Sequence, residues 1–411
     1  MAFFLARAGK LNDRTGMLAP ESSRSPAIDR WKVAAYDLAL EEGLAALSAR
    51  ALASRVGGSA SAINYHFGNR EQLIATVCAQ ALAASADWRL QHRAEGHVML
   101  PIWIDPAGAF AALLQIRIEE SRPLLALLRE LEQEAITSGW PDIVEAMAAE
   151  TEAEAVFWQD FTAIFGASAP QGALWADLAL ALSSTTLSLA SSAHRAAWIS
   201  GAAVRLHQRM TGQSIVLIPN RMQEAAHFDA SSSRYNETAL RILDAALDAL
   251  AEKGADRLNQ RDVAARAGVS LSAVTYFFGS KQDLISAAFD EMCSRAYRIM
   301  TDEGRERSRA LIVETLSAAS GSKQLATLEV LMRSGLRHPV LLPVVDRMLA
   351  IRGVGSEASL AQLGFAVDRL DGYLWISMVT GRYRRVCHLP LEALGEALRD
   401  AAWGRLAALF P

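Results

Sequence analysis

The segment Tyr65-His66-Phe67-Gly68-Asn69-Arg70-Glu71-Gln72-Leu73-Ile74 recurs as Tyr276-Phe277-Phe278-Gly279-Ser280-Lys281-Gln282-Asp283-Leu284-Ile285, 211 positions further on. The register holds without a gap from Arg30 and Arg241 to Ile74 and Ile285. It pairs Gly43 with Gly254, Leu47 with Leu258, Arg50 with Arg261, Ala53 with Ala264, Arg55 with Arg266, Gly57 with Gly268 and Ser59 with Ser270. A period this long marks a duplicated domain rather than a solenoid array. Whatever the chain folds into must therefore hold one small module twice. Its 411 residues leave room for two or more domains, and its 51% hydrophobic content can fill a core in each. Ala and Leu dominate and Pro is sparse, which favours helices throughout.

Each copy reads as four short helices. The first opens at Ser25-Pro26, a Ser cap followed by Pro at the first helical position, and at Asn236 in the second copy. Trp31, Ala34, Ala35 and Leu38 form an apolar stripe matched by Ile242, Ala245, Ala246 and Ala249. Gly43 and Gly254 stand where the helix end requires positive φ. The second helix starts near Ser48 or Asn259, and Asn259 with Asp262 has capping-box spacing. Gly57 and Gly268 permit the tight turn between crossing helices, and Ser59 and Ser270 cap the third helix.

That third helix points Ile63 and Phe67, or Val274 and Phe278, into the core. Its other face carries Ser61, Asn64 and Tyr65, matched by Ser272, Thr275 and Tyr276. A small, polar and aromatic face without long charged side chains can approach base edges in a major groove. The plainer alternative is a solvated face on a helical hairpin, and the recurrence of the same turn and the same Tyr argues for the groove reader. A fourth helix begins at Asn69 or Ser280, with Arg70 or Lys281 in its first turn. Free N–H groups and a basic residue at a helix start suit a phosphate; a plain surface charge is the alternative.

Both segments resemble the N-terminal DNA-binding domain of TetR-family regulators. The shared pattern is a helix ending at Gly, then Arg-x-x-Ala-x-x-Ala-Gly-Val-Ser, then Tyr-x-Phe-x-[Asn/Ser]-[Arg/Lys]-x-x-Leu. The second copy carries Arg261-Asp262-Val263-Ala264-Ala265-Arg266-Ala267-Gly268-Val269-Ser270, while the first keeps Arg50, Ala53, Gly57 and Ser59 but has Gly58 for Val. Ala60 and Leu271 stand where the family often has Lys, and Phe277 stands where the first copy keeps His66. The resemblance implies an all-α chain of two tandem units, each a helix-turn-helix head followed by a helical effector and dimerisation domain. It implies a double-stranded DNA operator as partner, read by Arg50, Ser59, Ala60, Ser61, Asn64, Tyr65, His66 and Arg70 in head 1. In head 2 the readers would be Arg261, Ser270, Leu271, Ser272, Thr275, Tyr276 and Lys281. It further implies a ligand-responsive repressor. The two heads would form an intramolecular pseudo-dimer, with a homodimer of chains also open. The rival is a regulator whose head 2 has left DNA for dimerisation or partner recognition, favoured by Leu271 and Phe277.

On this reading residues 1–25 form a flexible arm, 26–75 head 1, 76–227 the first helical domain, 228–237 a linker, 238–286 head 2 and 287–411 the second helical domain. Breaks are expected at Gly96, Pro101 to Pro106, Gly139-Trp140-Pro141, Gly166 to Gly172, Gly304, Gly321, Pro339, Gly353 and Pro390. The last long helices, about Gly172 to Met210 and about Leu360 to Leu409, would pack as a four-helix bundle. Trp88, Met99, Trp103, Trp140, Met147 and Trp158 would line a pocket for a small apolar effector; ordinary core packing is the alternative.

Other classes lack support. The net charge of −4 argues against coating nucleic acid by bulk positive charge. No His spacing suits a metal, and neither a Gly-rich phosphate loop nor a nucleophile elbow occurs, so no cofactor and no enzyme activity are expected. Cys78, Cys293 and Cys387 are too scattered for a disulfide framework. The apolar stretch at Met-Ala-Phe-Phe-Leu is too short for a signal sequence, and Leu178 to Ala193, too short for a bilayer span, reads as a buried helix. A cytoplasmic protein without membrane contact is expected.

Overall fold

A computed structural model of the chain describes residues 26–99, 105–189, 191–218, 235–301, 312 and 322–410. Among them every regular element is helical and no strand occurs. The arm at 1–25, the Ser25 cap, most of the linker, and the breaks at Gly304 and Gly321 lie outside the described residues.

In head 1, Pro26–Glu42 (α1) stops at Gly43, whose φ is 87°. Ser48 accepts the Ala51 N–H at 3.2 Å and opens Ala49–Val56 (α2), which ends at left-handed Gly57, φ 70°. Ser59 accepts the Ala62 N–H at 3.1 Å and opens Ala60–Phe67 (α3). Head 2 repeats the plan with Glu237–Lys253 (α9), Gln260–Ala267 (α10) and Leu271–Phe277 (α11), capped by Asn236, Asn259 and Ser270. The capping box expected at Asn259 is not closed. Asn259 accepts from Arg261, and the shorter Asp262 carboxylate is taken by Lys253 at 2.7 Å and Arg266 at 3.2 Å.

Arg70–Met99 (α4) leaves head 1 and runs through Gly96 without a break, because a helix tolerates one Gly at a cost of about 1 kcal/mol. Asp105 caps Pro106–Ser138 (α5), which bends at Ser121 ahead of Pro123. Then follow Pro141–Ala163 (α6), Ala169–Thr185 (α7) and Ser192–Thr211 (α8). The apolar run from Leu178 is buried as expected, yet its helix ends at Thr185 and Thr186–Leu189 continue as a buried turn. After head 2 come Lys281–Thr301 (α12), Ser322–Arg337 (α13), a 3-10 turn at Pro339–Leu341, Leu342–Ile351 (α14), Val354–Gln362 (α15), Arg369–Val386 (α16) and Leu391–Leu409 (α17).

Three large cores organise these helices. One joins head 1 to α4, the far end of α5 and α6 through Leu47, Leu52, Ile63, Leu127 and Leu131. Another joins head 2 to α12, α13 and α14 through Ile242, Val274, Phe289, Val330 and Val345. The third is shared by both halves: Phe110, Trp158 and Trp175 pack with Tyr373, Trp375, Met378 and Leu406. Here α7 and α8 meet α16 and α17. The α7–α16 crossing is so close that a Cβ on Gly381 would sit 1.8 Å from the Asp177 carbonyl oxygen. Beside it Arg205 pairs with Asp368 and Asp371 at 2.6 Å each, all three buried. Burial alone would raise the Asp368 carboxyl, but the Arg205 bond and the Ile218 N–H hold it at about 2. Arg405 reaches Asp177 across the same interface.

Candidate nucleic-acid interface

The outer face of α3 is open. Ser61, Asn64, Tyr65 and His66 are exposed, Tyr65 at 85%. Ala60 is half-buried, Ser59 is spent as the cap, and Arg50 is exposed at the start of α2. On α11, Leu271, Ser272, Thr275 and Tyr276 are exposed, Tyr276 at 83%, and Arg261 is exposed at the start of α10. An aromatic ring this bare on a short helix gains nothing from burial, so packing does not account for either Tyr. The head 2 hydroxyls are more occupied: Ser270 Oγ lies 2.8 Å from Ser272 Oγ, and Thr275 donates to the Ser272 carbonyl at 3.1 Å.

The two departures of the repeat are explained by packing. Tyr65 stands edge-on to His66, centroids 5.2 Å apart, and Tyr276 stands edge-on to Phe277 at 5.3 Å. Position 66 or 277 therefore supports the Tyr ring in both heads, while only His66 also offers ring nitrogens. His66 rests against Trp31 at 5.0 Å. A Cβ on Gly58 would stand 4.0 Å from the same Trp ring, so the bulk Val269 supplies in head 2 is partly supplied by Trp31 in head 1.

Arg70 and Lys281, expected beside a phosphate, also serve the fold of their own heads. Arg70 donates to the Leu47 carbonyl at 2.7 Å and the Leu44 carbonyl at 3.3 Å, and lies 3.7 Å from Glu134. Lys281 donates to the Asp256 carbonyl at 2.7 Å, and burial lowers its pKa from the ordinary lysine value. Both cations tie the α1–α2 turn, or its copy, to the next helix. The adjoining helix starts are also occupied, by the Asn69–Gln72 box in head 1 and by Ser280 accepting the Asp283 N–H in head 2.

A matched surface pair that sequence reasoning missed links the first two helices of each head: Arg55 forks onto Glu41 at 2.7 and 2.8 Å, and Arg266 meets Glu252 at 2.7 Å. These positions obey the same offset, which was the signal available for them.

The six residues expected around one apolar pocket divide between two cores. Trp88 and Trp158 belong to the shared core, Trp140 and Met147 to the head 1 core. The Met99 side chain and Trp103 lie outside the described residues. Indole spacing along a helix does not say which of two cores a ring enters. Near Trp88 a cleft of about 260 Å³ is lined by His92, Phe157, Phe161, Ala163 and Ile164 together with the Arg93–Asp160 ion pair. Behind it Arg117 lies 4.4 Å from the Trp88 ring centroid and pairs with Glu154 at 3.2 Å. Among the described residues no His, Cys, Asp and Glu cluster could hold a metal, and no helix is long and apolar enough to cross a membrane. Cys78 and Cys293 are buried, and burial pushes both thiols up to about 12.

The profile of the bacterial regulatory proteins of the tetR family matches the chain twice, at residues 33–77 and 242–288. The chain is similar to an HTH-type transcriptional repressor of Mycobacterium tuberculosis and an HTH-type transcriptional regulator of Mycobacterium bovis, each 37% identical over 67 residues. Each match takes in 16% of this chain, and the chain spans only 36% of the length of either relative. It is also similar to TtgW, an uncharacterized HTH-type transcriptional regulator of Pseudomonas putida. That match is 30% identical over 129 residues, 29% of this chain and 94% of the relative.

Proposed function

Because this chain belongs to the TetR family of regulatory proteins and carries the family's head twice, we propose that it is a DNA-binding transcriptional regulator whose two heads read two half-sites of one operator. The observation that carries this is the pair of exposed rings, Tyr65 on α3 and Tyr276 on α11, each at the same place on a capped helix behind the same turn. Small polar neighbours let such a helix approach base edges, and exposed Arg50 and Arg261 supply charge for the backbone. The joining of both halves in one core supports an intramolecular pseudo-dimer, since one chain then holds what two chains hold in an ordinary dimeric regulator. The half-sites it reads are similar but not identical, because the heads differ at Asn64/Thr275 and His66/Phe277. Repression is the regulatory sense we assign. The cleft beside Trp88, with Phe157 and Phe161 on its wall beside the Arg93–Asp160 ion pair, supports a small effector of mixed apolar and polar character for the first half.

Genome-wide footprinting of the purified chain, followed by sedimentation on a short duplex bearing the site found, tests the proposal. One chain protecting both half-sites is the expected result. Two chains per site, each with one head off the DNA, would overturn the pseudo-dimer. The second reading, a head 2 that serves dimerisation or partner recognition, draws on exposed Leu271 and on Phe277 in place of His66. Salt-dependent operator binding by the full chain with Tyr65→Ala and Arg50→Gln in head 1 would exclude it.

A further inference from the structure

Helices α5 and α13 each pack on a head and meet one another. The far end of α5 lies in the head 1 core through Leu124, Leu127 and Leu131, and α13 lies in the head 2 core through Val330, Leu331 and Met332. Where they touch, each half reaches into the head of the other. Arg337, the last residue of α13, bonds Glu130 of α5 at 2.7 Å. Its guanidinium also donates to the carbonyls of Leu40 and Glu41 at 3.3 and 3.2 Å, at the end of α1 in head 1. Glu130 in turn accepts the Leu44 N–H at 2.7 Å. One turn along the same face of α5, Glu134 binds Arg257 of head 2 and lies 3.7 Å from Arg70 of head 1.

An exposed ion pair holds little, about 0–1 kcal/mol. This one is different at its centre. Arg337 and Glu130 are 21% and 13% exposed, and the cation also caps the carbonyl end of α1, where helix dipole and unpaired oxygens favour it. The fit is close enough to restrict the neighbouring turn: a Cβ on Gly43 would lie 2.9 Å from Glu130 and 3.1 Å from Arg337. Arg257, at 40% exposure, is the weaker end.

We propose that Glu130, Glu134, Arg257 and Arg337 form a brace between the halves that fixes the separation and orientation of the two heads, making Arg337 and Glu134 positioning residues for the paired reading. The proposal rests on the reading of both heads as DNA readers. Linked heads gain from each other only when their spacing matches that of the half-sites, and a matched linkage can supply 10²–10⁴-fold in avidity. A rigid brace converts that gain into a sharp preference for one half-site spacing.

The test uses the full chain in two arms. Spin labels on Ser61→Cys and Ser272→Cys, in a Cys387→Ser background, report the distance between heads without DNA. We expect one narrow distribution that broadens in Arg337→Gln and, less, in the milder Arg257→Gln, with helix content unchanged in the latter. In the second arm a duplex pool with randomised spacing between half-sites is selected. The variants should accept a wider range of spacings and lose about tenfold on the preferred one, a part of the avidity at stake, while single half-site affinity stays the same. A narrow distribution and an unchanged spacing preference in Arg257→Gln and Arg337→Gln would overturn the brace. Broadening in a chain that binds no specific DNA would instead overturn the DNA reading and support the brace.

Discussion

At Gly43 an added Cβ would press on Glu130 and Arg337, whereas at Gly254, its copy in head 2, it would meet nothing within 4 Å. The local plan is shared: both glycines have positive φ, both turns end in a capping side chain, Ser48 or Asn259, and both heads pair an Arg of the second helix with a Glu of the first. What surrounds the plan is not shared. Each head is tied by its own cation, Arg70 or Lys281; beyond that, head 1 is held by Arg337 of the second half, while head 2 is held by His338 of its own half, 3.0 Å from Asp256, with Glu134 of the first half reaching Arg257. A duplicated module keeps the contacts it makes with itself, because those are encoded within a few residues. Its contacts with the rest of the chain are set anew at each location.

The largest expected effect breaks this comparison directly. Gly43→Ala and Gly254→Ala both force positive φ on a Cβ, and Gly254, with ψ 171°, lies where essentially only Gly is found, about 1–3 kcal/mol. Gly43→Ala also displaces Glu130 from the Leu44 N–H, a charge-assisted bond of about 1.5–3 kcal/mol. Urea denaturation should show a loss at both, but only Gly43→Ala should be coupled to Glu130→Gln in a double-mutant cycle; additive losses there would remove the distinction between the heads. Next in size, Tyr65→Ala should weaken specific DNA binding by about 1–3 kcal/mol and Tyr276→Ala by less, since His66 can add a donor beside Tyr65 where Phe277 cannot. Gel-shift titration of folded variants checks the ranking; the reverse order would show that the substitution at 66/277 was misjudged.

A smaller effect separates turn-tying cations from DNA-facing ones. Arg70→Gln and Lys281→Gln should each cost about 1 kcal/mol of stability through lost carbonyl bonds, with the salt dependence of DNA binding unchanged. Arg50→Gln and Arg261→Gln should do the opposite, lowering the salt slope by about 1 each at unchanged stability. A fallen slope in Arg70→Gln would return that residue to the phosphate. The smallest concerns the departure in the first turn. Gly58 lacks positive φ and its Cβ would find ordinary contact with Val56 and Trp31. Gly58→Ala should therefore raise the unfolding free energy by about 0.4–1 kcal/mol, read from its melting curve; a destabilised head 1 would mean the turn needs the glycine.

What could be read without coordinates was what lies close in the chain. Ser59 caps an N–H three residues away, and Gly57 and Gly268 end helices whose carbonyls are four residues back. Residues lost to that reading fail for identifiable reasons. Arg70 at a helix start suits a phosphate and a neighbouring carbonyl equally, and only the folded turn decides. Trp88 and Trp140 look alike as helix aromatics but enter different cores. Arg337 and Glu130 are 207 residues apart, beyond the stretch where the repeat keeps its register.

The contact of Arg205 with Asp368 and Asp371, and of Asp177 with Arg405, joins unlike residues across the shared core. In an assembly of two identical subunits every inherited change is written twice, and a residue near the axis must suit its own copy. Within this chain a change is written once. One side of the joint can be altered while the other compensates, and on the proposed reading the half-sites can drift apart one base at a time. If one chain is the whole reader, as proposed, a defective allele cannot contribute a half to a normal molecule, since the halves of one chain are made together.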